Sequence, residues 1–288
     1  MKKLTLKKLF THAVLAGVAL SLTACTTTEQ TTMSNKEKAV AVIESIETGN
    51  PEPIGYINPS KYIQHNLAVG DGLEGFGAVM QLLPEGSARA KVKRAFQDGD
   101  YVVLHTEYNF FGPKVGFDVF RFEQGKIVEH WDNLQELSPA NASGRTQTDG
   151  ETTITDLDKT IQNKALATDF INTILINADM AKINDFIGSN DSDYLQHNPR
   201  VADGLNGLGK ALADLAKSGM PMVYKRNHKV LGQGNFVLSI SEGVFLNKDV
   251  AFYDLFRVEN GKLVEHWDTI ENIPAKAEWK NTNGKFNF

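Results

Sequence analysis

The chain has 288 residues, with 30 lysines and arginines against 35 acids, a net charge of −5 and one cysteine, Cys25. That balance argues against a nucleic-acid partner, which asks for a basic patch or stripe. A lone cysteine excludes an internal disulfide and a cysteine-built zinc site, so stability must come from burial.

Residues 1–24 carry Lys2, Lys3, Lys7 and Lys8, an apolar stretch over 9–22, and Thr23-Ala24 directly before Cys25. This pattern reads as a signal peptide, and the apolar stretch is short of the roughly 20 residues a spanning helix needs. The run Leu22-Thr23-Ala24-Cys25 resembles a lipobox, which implies acylation (palmitate) of Cys25 and a lipid anchor in the membrane. Thr26, in place of Asp, resembles an outer-membrane sorting signal facing the periplasm. Polar residues 25–34 read as a tether. Removing residues 1–24 takes four lysines and no acid, leaving a net charge of about −9.

From residue 35 onward the chain repeats itself. Tyr62-Ile63-Gln64-His65-Asn66 returns as Tyr194-Leu195-Gln196-His197-Asn198, and Asp71-Gly72-Leu73 returns as Asp203-Gly204-Leu205. Asp118-Val119-Phe120-Arg121 returns as Asp254-Leu255-Phe256-Arg257, and the run from Gly125 through His130-Trp131-Asp132 returns from Gly261 through His266-Trp267-Asp268. Two ordered matches at nearly one offset mean a tandem duplication. The expected domains are 35–137 and 156–274, joined by a polar linker at 138–155 and followed by a tail at 275–288.

Within each copy the expected order is the same. Ala39, Val42, Ile43 and Ile46, and later Ala167, Phe170, Ile171, Ile174 and Leu175, recur at helical spacing. A second helix is expected over 73–83 and over 205–216. Strands follow at 91–96, 101–111, 115–123 and 126–134, separated by glycine-bearing turns. Helices first and antiparallel strands afterwards argue for an α+β fold.

Alternation on the third strand puts Asp118, Phe120 and Phe122 on one face, and Asp254 and Phe256 on the matching face of the second copy. A carboxylate among aromatics is desolvated, which raises its pKa toward the range where it exchanges protons. On the second strand Tyr101, Val103, His105 and Glu107 share a face, with Ile240 standing where His105 does. That apolar face is expected to point inward, and if the two strands are neighbours, as a short Gly112-Pro113 turn suggests, His105 approaches Asp118 inside one cavity as an acid and base pair; equally, each can be a hydrogen-bonded core residue. Alternation sends His130 and Asp132 one way and Trp131 the other, and leaves open which face lines a pocket. Tyr62, Gln64 and His65 are placed at a pocket mouth or in loop support. Gly70-Asp71-Gly72-Leu73-Glu74-Gly75 fits a dinucleotide fingerprint only formally, because no strand precedes it and Ala202 replaces its first glycine in the second copy. No zinc-binding histidine pair and no serine nucleophile elbow is legible, so neither cofactor nor metal is expected.

Together these motifs resemble the SnoaL-like branch of the nuclear transport factor 2-like superfamily over nearly all of both copies. The resemblance implies two cone-shaped domains, each with helices packed on a strongly curved antiparallel sheet around an apolar pocket. It also implies cofactor-free aldol condensation of the polyketide cyclase kind, with Asp118 as acid and base and His105 beside it. Tyr62, Gln64, His65, Trp131, Tyr194, His197, Asp254 and Trp267 are the expected pocket residues. Members pair through their sheets, which implies an intrachain pseudo-dimer. Two functions stay open: an envelope-anchored acid–base enzyme acting on a small apolar carbonyl compound, and a non-catalytic module that binds an apolar ligand or another envelope protein. Ile240 in the second copy favours binding there.

Overall fold

The computed structural model describes residues 33–83, 86–220 and 222–288. The expected signal peptide, Cys25 and the tether up to residue 32 lie outside them. Among the described residues no helix is long and apolar enough to cross a membrane.

Each repeat opens with a helix. In the first, α1 (Asn35–Thr48) starts at a capping box in which Ser34 and Glu37 satisfy each other's backbone, and it stops at Gly49 in a left-handed conformation. Its buried side, Ala39, Val42 and Ile43, follows the spacing seen in the sequence. The short strand β1 (Ile63–Gln64) and helix α2 (Gly72–Leu82) precede four long strands: β2 (Arg89–Asp98), β3 (Tyr101–Asn109), β4 (Pro113–Glu123) and β5 (Lys126–Glu136). The second repeat gives α3 (Thr160–Phe170), α4 (Ile183–Phe186), β6 (Leu195–Gln196), α5 (Gly204–Lys217), β7 (Val223–Gln233), β8 (Phe236–Phe245), β9 (Lys248–Glu259) and β10 (Lys262–Asn272).

The strands form two five-stranded sheets, ordered β1-β5-β4-β3-β2 and β6-β10-β9-β8-β7. The four long strands of each are an antiparallel meander, while β1 and β6 add in parallel at one edge. The α+β class and the doubled architecture match the expectation, and the parallel edge strand is an addition to it. Register shifts between Val92 and Arg94, between Arg121 and Phe122, and at three points of the second sheet bend the strands.

Both faces of each sheet are covered. One face of the first sheet carries Val102, Leu104, Phe120 and Phe122 and packs under α1 with Val42 and Ile43. The other carries Phe96, Val103, Phe117, Val119 and Trp131, which share one core with Phe236, Leu238, Ile240, Tyr253, Leu255 and Trp267 of the second sheet. The two sheets therefore pack face to face, and Asn133 crosses the seam to donate to Thr269 at 2.9 Å.

Residues 138–155 and 275–288 do more than connect and trail. Asn141 donates to the carbonyls of Gln196, Asn198 and Val201, Arg145 pairs with Asp203, and the Asp149 carbonyl accepts from the Trp267 indole at 2.9 Å. The tail repeats these contacts on the first repeat. Asn281 donates to the carbonyls of Asn66 and Val69, the Asn287 carbonyl accepts from the Trp131 indole at 2.8 Å, and Phe288 stacks on Trp131 at 4.5 Å. Each repeat thus ends in a strap that fastens the other repeat.

Candidate functional site

The strand register decides which expected residues meet. Across β3 and β4, Leu104 faces Asp118 and His105 faces Phe117, so His105 and Asp118 point to opposite sides of the sheet. His105 lies in the seam between sheets, stacked on Phe117 at 4.4 Å, with Nδ1 accepting from Arg94 at 3.1 Å. Burial, reinforced by Arg94, holds its pKa well below the ordinary histidine value. The expected pair does not form, because strand alternation reverses the face at every residue. Ile240 occupies the same seam position in the second repeat. Its hydrocarbon therefore says nothing about that repeat's pocket.

Asp118 instead meets His130. Asp118 pairs with Asp132 across β4 and β5, and Phe120 pairs with His130. The His130 Nε2 lies 3.2 Å from an Asp118 oxygen, and its Nδ1 lies 3.2 Å from Gln64 Oε1. The second repeat has the same arrangement: His266 Nε2 to Asp254 at 3.1 Å, and His266 Nδ1 to Gln196 Oε1 at 2.9 Å.

The hydrogen-bond partners fix where protons sit. Gln64 Oε1 also accepts from the Asn66 backbone amide at 2.8 Å, and Gln196 Oε1 from that of Asn198 at 3.0 Å. That atom is therefore an acceptor, so Nδ1 of each histidine is the donor. The Nε2–carboxyl contact then needs one more proton, held either by the imidazole or by the aspartate. Each repeat contains a histidine–aspartate pair sharing one proton.

Two tyrosines and a second carboxyl complete each cluster. Tyr108 donates to Asp118 at 2.5 Å, and Tyr224 donates to Asp254 at 3.0 Å. Asn66 and Asn198 each donate to one oxygen of Asp132 and Asp268, at 2.7 Å in both cases. The other oxygen, Oδ1 of Asp132 and of Asp268, is buried without a hydrogen-bond partner. Burial raises the Asp118 pKa, against the hydrogen bond from His130 that lowers it. Burial also raises that of Asp268, against the nearby His266. Desolvation pushes the Tyr62, Tyr108, Tyr194 and Tyr224 hydroxyls above the usual tyrosine value, so all four stay neutral donors.

In the second repeat the cluster stands in a cavity of about 890 Å³ lined by Tyr194, Gln196, Tyr224, Asp254, His266 and Asp268. Leu208, Ala211, Leu212 and Leu215, an i, i+3, i+4, i+7 stripe on α5, supply apolar wall, and Leu134 of the first repeat adds to it. Phe170 and Leu175 line it from α3 and the π-helical turn Ile171–Ile176 that continues it.

The remaining expected pocket residues divide by face. Tyr62, Gln64, Tyr194 and Asp254 belong to the cluster side. His65, Trp131, His197 and Trp267 do not: they lie on the seam side, where His65 stacks on Trp131 at 4.5 Å and His197 on Trp267 at 4.6 Å. His65 also contacts Glu129 and the Gly284 carbonyl, and His197 contacts Glu265 and the Thr146 carbonyl, so both histidines anchor straps. The physical reason is again alternation, which turns Trp131 away from its neighbours His130 and Asp132. The straps nevertheless reach the site indirectly: Asn283 donates to the Gln64 carbonyl at 2.9 Å and Asn141 to the Gln196 carbonyl at 2.6 Å.

Sequence reasoning passed over Tyr108, Tyr224, Asn66 and Asn198, and left the face of His130 and Asp132 undecided. The signal for the histidine was present in both copies of His-Trp-Asp. The tyrosines had none, because they occupy different strands in the two repeats.

Asp118, His130 and Asp132, and likewise Asp254, His266 and Asp268, each offer one ligand-type atom within 4.8 Å of the others. Their spare atoms are held by Tyr, Gln and Asn, which fixes the orientation of each side chain toward the shared centre.

No family model and no curated protein matches the chain. Among solved structures the chain is similar to wild-type IdmH from Streptomyces antibioticus, a candidate polyketide cyclase, at 18% identity and TM-score 0.32, over 36% of this chain and 93% of that one. It is similar to a nuclear transport factor 2-like protein of unknown function from Cytophaga hutchinsonii at 16% identity and TM-score 0.32, over 37% and 94%. A candidate SnoaL-like polyketide cyclase from Jannaschia matches at 16% identity and TM-score 0.31, over 35% and 85%. Each match spans about the length of one repeat.

Proposed function

We propose that the chain is an exported lipoprotein, anchored in the cell envelope through Cys25, whose second repeat is a cofactor-independent acid–base enzyme acting on a small, largely apolar carbonyl compound. The observation that carries this reading is the 3.1 Å Asp254–His266 contact at the wall of a cavity with an apolar helical side. With the shared proton on His266, the Asp254 carboxylate takes a proton from the carbon beside the carbonyl. The C–H electron pair moves onto the carbonyl oxygen, and Asp268, whose raised pKa favours its acid form, donates a hydrogen bond there. Returning the proton from Asp254 to another carbon isomerises the compound; alternatively, the enolate carbon attacks a second internal carbonyl, and Asp254 returns its proton to the alkoxide so formed, which is an aldol closure. The first repeat carries the same pair in Asp118 and His130.

The test is deuterium uptake from D₂O by a panel of enolisable ketones, followed by NMR with the mature chain. Uptake should fall about 100-fold or more in Asp254→Asn, a typical general-base contribution, and persist in His105→Ile. Panel compounds that bind the cavity yet exchange no faster than in buffer would remove the enzyme reading in favour of a binding module.

A further inference from the structure

The two hydroxyls that reach the paired aspartates come from different strands. Tyr108 is on β3, opposite Ala90 of β2. In the second repeat the tyrosine is on β7, opposite Gly243 of β8. Tyr108 faces Lys114 across β3 and β4, and Gly243 faces Val250 across β8 and β9, so Gly243 is the counterpart of Tyr108 and Tyr224 of Ala90. The large and small residues have changed places across a strand pair. Gly243 has no room for a side chain, since a Cβ there would lie 2.0 Å from the Val223 carbonyl oxygen and 2.7 Å from the Phe252 ring. The tyrosine had to arrive from the neighbouring strand, and its hydroxyl still ends on the same carboxylate. Packing alone has no reason to keep an oxygen at that point, because a phenylalanine fills the same volume without a polar atom to satisfy.

We infer that Tyr108 and Tyr224 are positioning residues that hold Asp118 and Asp254 as the ionised members of their pairs, leaving the shared proton on His130 and His266. This rests on the proton-sharing pair of the proposed acid–base site and names what sets its direction. A neutral hydroxyl donating to a carboxylate favours the charged form, opposing the burial that disfavours it. Around Asp254 and His266 the other titratable or charged groups are Tyr194, Asp268 and, further out, Arg200, with Glu136, Asp214, Lys248 and Glu271 on the cavity lining. Phe170 and the α5 stripe add only hydrocarbon. Around Asp118 and His130 the corresponding groups are Tyr62, Tyr253 and Asp132, with the buried Lys285 ammonium 3.8 Å from Asp132 and paired in turn with Glu271.

The experiment is an NMR pH titration of the imidazole ring protons in the mature chain, assigned by loss of single signals in His130→Asn and His266→Asn. In Tyr224→Phe the midpoint of His266 should fall by about one pH unit, the size of one charge-assisted hydrogen bond, while His130 stays in place as an internal control. Tyr108→Phe should do the reverse. Fully folded variants with unmoved midpoints would overturn the proposal, as would unfolding of both, since a hydroxyl whose loss unfolds its repeat is a structural tie. The titration needs no substrate, so it can succeed when the ketone panel fails, and fail when that panel succeeds.

Discussion

Single residues in this protein are governed by which side of a sheet they face. His105 is kept neutral in the fold, whereas an unfolded histidine takes a proton below about pH 6.5. The unfolded state therefore binds more protons there, and the stability tied to His105 is complete above that pH and lost as pH falls. His105→Ile, which copies the second repeat, should sit within about 1 kcal/mol of the parent at pH 8 and lose less stability on going to pH 5. Urea unfolding at the two pH values reads this, and a larger loss in the variant would contradict it. Asp268 behaves oppositely. Its raised pKa lets the folded state keep a proton that the unfolded state releases near pH 4, so its burial costs stability as pH rises through that window. Asp268→Asn keeps an oxygen for Asn198 and should gain on the parent between pH 4 and 7; a constant difference would refute the assignment.

At the scale of elements, the sequence carried the strands and helices closely because each glycine turn and apolar period is local. It also carried the shared face of Asp118 and Phe120. What it withheld was which face looks outward, since Val102 and Leu104 are as apolar as Val103 and a sheet covered on both sides shows no polar face. Placing His105 with Asp118 failed for that reason, and His130 was recoverable only from the register. Turns differ in tolerance for similar reasons of space. Gly150 has φ +90, and a Cβ there would lie 2.2 Å from a Glu265 oxygen and 2.8 Å from the Trp267 ring, whereas nothing lies within 4 Å at Gly49. Gly150→Ala should cost about 2 to 3 kcal/mol and Gly49→Ala about 1. Comparable losses in thermal unfolding would show that the strap segment yields more readily than its contacts suggest.

Over the whole molecule the exchanged straps dominate. They were not legible as structure because Asn, Ser, Thr and Gly are what a solvated linker is made of. A weak signal was there: Asn141-Ala142-Ser143-Gly144-Arg145 recurs as Asn281-Thr282-Asn283-Gly284-Lys285. Truncation after Pro274 should remove the bonds to Asn66, Val69, Gln64, His65 and Trp131 and the Phe288 stack, and so loosen the first repeat; the second loses the Phe286 stack on His228 and the Lys285–Glu271 pair but keeps its own strap. At about 1 kcal/mol for each hydrogen bond the loss is several kcal/mol. Hydrogen exchange should show early labelling of Tyr62–Gly72 backbone amides and unchanged protection around Tyr194; equal loosening of both would argue against reciprocal strapping.

Exchange of the straps gives the protein a direction in time. Translation runs at roughly 5 to 20 residues per second, and the strap for the second repeat is made before the repeat it fastens. The strap for the first repeat is made only after the whole of the second repeat. A nascent first repeat must therefore wait until the second repeat and residues 275–288 have been made before its indole and imidazole are covered, while the second repeat emerges into a clasp already synthesised.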